Sequence, residues 1–150
     1  MKIGIAADHR GFKLKSSIIG YLKKKGYDVV DYGTHSEESV DYPHFAFQVA
    51  MALADKKIGF GILLCYTGQG MAMSANKVRG VRAAICTNPE IAQLTRAHND
   101  ANILVMPAGF MDFSSNTKKT IETFLTTEFA GERHLRRLKI IEEYENDNHK

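Results

Sequence analysis

Apolar residues recur along this chain with two alternating periods. Ile3-Gly4-Ile5-Ala6-Ala7 is a short continuous run, after which Leu14, Ile18, Tyr21 and Leu22 return at helical spacing until Gly26. That pattern predicts a strand followed by an amphipathic helix. A second strand is expected over Tyr27 to Tyr32 and a second helix through Phe45, Val49 and Leu53. Ile58 to Leu64 is almost uninterrupted in its apolarity, as a central parallel strand covered on both faces must be. Val81 to Cys86 reads as a fourth strand. Asn88-Pro89-Glu90 then supplies a helix N-cap, a proline at the first helical position and an early acid, for a helix running to about Ala97. A fifth strand is expected from Asn102 to Met106 and a helix from Thr117 to Thr126. Leu135, Leu138, Ile141 and Tyr144 mark a last amphipathic helix. The tail from Glu142 to Lys150 carries little signal and is expected to be partly disordered.

Repeated strand-helix alternation implies an α/β fold, a Rossmann-like three-layer sandwich with a five-stranded parallel sheet and helices on both faces. The common order 2-1-3-4-5 makes strands one and three neighbours at the switch point, where ligands bind beyond the carboxyl ends of the strands. Asp8-His9 would then stand beside Cys65-Tyr66-Thr67-Gly68. With 150 residues and 44% apolar content, the chain is expected to form one domain over residues 1–150.

The chemistry concentrates where the third strand ends. Cys65 is followed by a hydroxyl at Thr67 and by Gly68-Gln69-Gly70, a spacing that lets successive backbone amides, from Tyr66 onward, turn toward one anionic group. Each residue also has a purely structural use: the thiol as a small buried apolar group, Thr67 as a helix cap, the glycines as a tight turn. Cys86 lacks such surroundings and is read as core. His98 closes its helix, where the dipole favours a protonated imidazole able to act as an acid. Arg133 and Arg137, four apart, share one helical side, which suits forked recognition of a phosphate as well as a solvated face.

A net charge of +3, with no basic track interleaved with aromatics, argues against a nucleic-acid partner and favours small anions. Two cysteines 21 positions apart with no CxxC pair give neither a disulfide framework nor a zinc site, and a thiol redox role lacks a resolving cysteine nearby. No apolar segment reads as a signal peptide or membrane span, so a cytoplasmic protein without a membrane partner is expected.

Over essentially its whole length the chain resembles the B-type ribose-5-phosphate isomerase family, which includes allose- and galactose-6-phosphate isomerases. The resemblance rests on Asp8-His9, Asp41-Tyr42-Pro43, Cys65 with Thr67-Gly68 and Gly70, Ala75-Asn76-Lys77, Gly80-Val81-Arg82-Ala83, His98-Asn99-Asp100-Ala101-Asn102, and Gly131 with Arg133-His134. It implies an aldose-ketose isomerase needing no metal or cofactor, dimeric or tetrameric, with sites at the interface of two subunits. In that resemblance Cys65 is the base, His98 the ring-opening acid, and Thr67 with the amides from Tyr66 to Gly70 the stabiliser of the enediolate. Asp8 and Tyr42 hold ring oxygens, Asn99 a sugar hydroxyl, and His9, Arg133 and Arg137 the phosphate. The expected reaction interconverts D-ribose 5-phosphate and D-ribulose 5-phosphate; a six-carbon 6-phosphate sugar and a catalytically weak sugar-phosphate- or nucleotide-binding module are the alternatives. Three positions depart from the family pattern: Tyr66 stands where a glycine is usual, Gly109 where many relatives carry a phosphate-binding arginine, and Met71 where some relatives carry a glutamate base.

Overall fold

Five parallel strands form one sheet: β1 (Lys2–Ala7), β2 (Asp28–Asp31), β3 (Phe60–Cys65), β4 (Ala83–Ile85) and β5 (Ile103–Pro107). They alternate with α1 (Phe12–Lys24), α2 (Tyr42–Ala54), α3 (Gln69–Ala75), α4 (Pro89–Asn99) and α5 (Ser115–Thr126), and α6 (Glu132–Asp147) follows. This computed structural model describes residues 1–147. The helical pattern thus continues through Asp147, five residues beyond the start of the tail for which partial disorder was expected; the rest of that tail, residues 148–150, lies outside the described residues.

The sheet runs β2-β1-β3-β5-β4, which corrects the expected 2-1-3-4-5 at its last two places. Burial gives the reason. All five residues of β5, Ile-Leu-Val-Met-Pro, are buried, whereas β4 is three residues long and only half-buried throughout. An apolar strand takes the interior place, where both of its faces are covered, and the short alanine-rich one takes the edge. The neighbours at the switch point are unaffected: β1 pairs with β3, and the Asp8 amide continues that ladder by donating to the Leu64 carbonyl at 3.1 Å.

Successive residues of β3 alternate between two cores. Ile62 and Leu64 face Leu14, Ile18, Leu22, Ile121 and Phe124 of α1 and α5, while Leu63 and Cys65 face Ala46, Val49, Met71 and Ala75 of α2 and α3. The thiol therefore leaves the sheet on the α2/α3 side. Helices α1 to α5 each start at the carboxyl edge of the sheet and end near the amino edge, as parallel strands joined by helical crossovers require. Among the described residues, no helix is long and apolar enough to cross a membrane.

Candidate active site

At the carboxyl edge, the chain leaving β1 is held by Asp8. Its buried carboxylate accepts through Oδ1 from the amides of Arg10 and Gly11, at 2.9 and 3.1 Å. A Cβ at position 11 would sit 2.8 Å from the Leu64 carbonyl oxygen, so this close crossing of the β3 exit requires glycine. His9 accepts from the Val40 amide through Nδ1 at 3.2 Å. In the neutral ring that bond puts the proton on Nε2, which remains a hydrogen-bond donor.

Beside this loop β3 ends at Cys65, which is 5% exposed and unoxidised. The chain then turns through Gly68, whose φ of 77° lies in the left-handed region, and opens α3 at Gln69. Thr67 Oγ1 accepts from the Gln69 amide at 3.3 Å, so the hydroxyl ties the turn together as well as lying exposed at its rim. Gly70 is needed for another close approach: a Cβ there would be 2.5 Å from the ring of Tyr42. Asp8, His9, Tyr42, Cys65, Tyr66, Thr67, Gly68, Gln69 and Gly70 are thus gathered by the ends of β1 and β3 and the starts of α2 and α3.

His98 and Asn99 belong to the opposite end of the fold. They close α4, and Asp100 follows in the left-handed conformation with φ 45°. Its carboxylate binds two arginines, accepting from Arg96 Nη1 at 2.7 Å and from Arg82 Nη2 at 2.9 Å, while Arg82 Nε also reaches the Asn99 carbonyl at 3.1 Å. This network fixes the turn that carries Asn99. The His98 ring lies flat on His134 of α6, with centroids 4.2 Å apart and planes 13° from parallel. Loss of water around its ring, followed by the charges of His98, Arg133 and Arg137, lowers the pKa of His134 from its ordinary 6.5. Arg133 and Arg137 stand exposed on the same helix.

Register measures the gap between the two groups. Cys65 pairs with Pro107 at the carboxyl end of β5, whereas α4 delivers its last residues to the other end, where Gly61 pairs with Ile103. Four residues of strand, about 13 Å, separate those rows along the sheet. Within one copy of the chain, Cys65 and His98 do not share a pocket.

The model of the family described as Ribose/Galactose Isomerase matches residues 3–141. The chain belongs to that family. Ribose-5-phosphate isomerase B of Escherichia coli is 41% identical to this isomerase over 140 residues, covering 93% of each chain. The structure of ribose-5-phosphate isomerase B from Clostridium thermocellum superposes with a TM-score of 0.96 at 46% identity over 99% of both chains. That of the Mycoplasma genitalium enzyme with bound ribulose-5-phosphate gives 0.90 at 41% identity, over 97% of this chain and 96% of that one.

Several motif residues of the isomerase have structural work. Asn76 exchanges two hydrogen bonds with the Ala83 backbone, each 2.8 Å, and Asn102 bridges Arg82 and Gly80, at 2.7 and 2.9 Å. Met71 is fully buried among core residues, so position 71 offers no proton-transferring group. Cys86 is core as read from the sequence, and burial pushes its thiol up to about 11 against a weaker hydrogen bond to Thr95. Sequence reasoning assigned no role to two residues that the structure brings to these edges. His134 gains significance only through its stack on His98, and Arg10 only through a ring contact with Tyr66; the signal for Arg10 was its place directly after Asp8-His9 in the same loop.

Proposed function

We propose that this isomerase interconverts D-ribose 5-phosphate and D-ribulose 5-phosphate through an enediolate, in sites that two copies of the chain build together. The carrying observation is the end of β3, where a cysteine is followed at once by a glycine-spaced turn opening a helix. A proton alpha to a carbonyl is removed only where the developing oxyanion meets preorganised donors, each worth about 2.7–4 kcal/mol. Thr67 and the amides from Tyr66 to Gly70 are groups of that kind.

In the proposed sequence, His98 of the second copy protonates the ring oxygen as the bond from it to C1 breaks, and the C1 hydroxyl gives its proton to water, leaving the open aldose. The Cys65 thiolate takes the proton from C2 of the open aldose, and the electron pair moves into the C1–C2 bond while the carbonyl oxygen becomes the enediolate oxygen. Return of the proton to C1, with the O2 proton passing to O1, gives the ketose. Asp8 and Tyr42 hold ring oxygens and Asn99 a hydroxyl, while His9, Arg133 and Arg137 take the phosphate. The sequence of steps calls on no metal and no cofactor.

Two features support assembly from two copies. The separation of Cys65 from His98 leaves each half without its partner inside one chain, and α6 buries only His134 while Leu135, Ile140 and Ile141 stay exposed. Apolar residues so placed on a long helix fit a contact with a second copy, as in a homodimer or homotetramer. The reading takes residues 1–150 as one sugar-phosphate isomerase domain in the cytoplasm, the compartment that two unpaired thiols suit.

An assay of purified protein with ribose 5-phosphate against allose 6-phosphate and galactose 6-phosphate tests the substrate. The five-carbon sugar should give the highest kcat/KM. A higher value for a six-carbon sugar would reassign the substrate, and binding without turnover of any of them would leave a binding module. Activity surviving prolonged chelation is expected; its loss would overturn the metal-free sequence of steps.

A further inference from the structure

A substrate phosphate carries close to two negative charges, and the carboxyl-edge residues named so far in the same copy give it no formal cation. Asp8, Tyr42 and the turn from Tyr66 to Gly70 have none, and His9 is uncharged when its Nδ1 accepts from Val40. Lys15, the buried lysine of α1, is occupied: its Nζ donates to Asp31 Oδ1 at 2.5 Å and to the Thr34 carbonyl at 2.7 Å.

Tyr66 changes this. Its ring fills the space over Gly109, where a Cβ would lie 2.2 to 2.7 Å from three ring carbons, so no side chain can stand at position 109 while the ring is there. Gly109 in turn anchors the tyrosine, its amide donating to the Tyr66 carbonyl at 2.9 Å, and the Phe110 ring packs beside it with centroids 5.5 Å apart. Onto this fixed ring comes the guanidinium of Arg10, with Cζ 4.3 Å from the ring centroid. A cation seated over an aromatic ring is held by the ring quadrupole without spending its N–H groups. Among the described residues the Arg10 side chain has no hydrogen bond or ion pair, and its backbone is pinned by Asp8. One residue before it, His9 offers its Nε2–H.

We infer that Arg10, seated on the Tyr66 ring, is a phosphate ligand of this isomerase, supplied by the β1 loop of the same copy that supplies Cys65. The inference rests on the sugar-phosphate reading above. Tyr66 and Gly109 are then two parts of one device: the ring that closes position 109 to any side chain also presents a guanidinium from the loop after β1.

Inorganic phosphate is the probe, used as a competitive inhibitor of ribose 5-phosphate turnover and, in calorimetry, as a ligand for the full-length protein. Arg10→Ala should weaken phosphate binding and raise KM about tenfold each, with kcat within about threefold. Tyr66→Ala should reproduce a large part of the phosphate effect and Tyr66→Phe, which keeps the ring, should not. The double variant Arg10→Ala with Tyr66→Ala should bind phosphate as Arg10→Ala does, because the ring acts through the guanidinium. Unchanged phosphate binding in Arg10→Ala overturns the inference, as do fully additive effects in the double variant. If wild-type protein turns over ribose 5-phosphate but Arg10→Ala binds phosphate normally, the inference alone fails. If no sugar phosphate is turned over but phosphate binding still depends on Arg10, the ligand assignment stands and the reading of the activity fails.

Discussion

The two edges of the sheet solve different problems. At the carboxyl edge, glycines at positions 11, 68, 70 and 109 let backbone and rings approach closely, so that a thiol, a hydroxyl and successive amides crowd into one place. At the amino edge, His98 and Asn99 lead into the left-handed turn at Asp100 and are held from outside by a charged network around that residue and by a stacked histidine. In the proposed reaction, one edge stabilises an anion through fixed backbone dipoles and the other presents ionisable side chains. Parallel topology forbids their meeting within one chain, because a helix that begins where β4 ends must finish near where β5 begins. A reaction that needs both edges is therefore an argument for two copies, and the sharpest experiments are those that damage one edge at a time.

The largest expected effect comes from the chemistry itself. Cys65→Ala should lower kcat about a thousandfold or more, and His98→Gln about a hundredfold, with the histidine variant recovering much of its activity if ring opening is made non-limiting. Equal defects insensitive to the anomeric state of the sugar would remove the distinction between base and ring-opening acid.

Next comes the support of the amino edge. Asp100→Ala strips Arg96 and Arg82 of their shared carboxylate, and Arg96 is nearly buried. Loss of about 2 kcal/mol of stability is expected, since Asp100 is itself only partly buried, together with a fall in kcat as Asn99 and His98 lose their fixed turn. Thermal denaturation and steady-state kinetics check both parts. A variant with normal stability would show that the network does not hold the α4 terminus.

The smallest effect separates the two stacked histidines. Because the folded-state pKa of His134 is lowered, the unfolded chain binds a proton more readily there. The stability linked to this group is complete above the unfolded value near 6.5 and is lost as pH falls through the lower folded value. His134→Asn should flatten that part of the pH dependence of denaturation. An unchanged slope would mean that neither the loss of water around this ring nor the neighbouring charges disfavour its protonation.

Most elements of the fold were legible in the sequence because strands with continuous apolar runs and helices with a 3.6-residue period write themselves plainly. β3 and α4 fall within two residues of their expected bounds. What period could not convey was lateral order. The cue lay in β5 being wholly apolar and β4 short and alanine-rich, a difference in burial on both faces rather than in strand character. The misplaced strand had a consequence for the site. With β4 between β3 and β5, Gly109 could not touch Tyr66, and two departures from the family pattern looked independent; the true pairing of Cys65 with Pro107 joins them. The grouping of Asp8-His9 with Cys65 was legible because it needed only β1 beside β3. That His98 stands at the other edge was already implied by helix direction, but its stack on His134 depends on how α6 returns to α4, which no local pattern encodes.

Subunit complementation tests the two-edge account most directly. Cys65→Ala and His98→Gln chains, each nearly inactive alone, are denatured together in equal amounts and refolded as a mixture. In a mixed pair, one site receives both damaged edges and the other receives none, so random pairing should restore about a quarter of wild-type activity. Activity no greater than the sum of the two separate variants, in a mixture shown to contain mixed pairs, would contradict the account and place the whole reaction within a single chain.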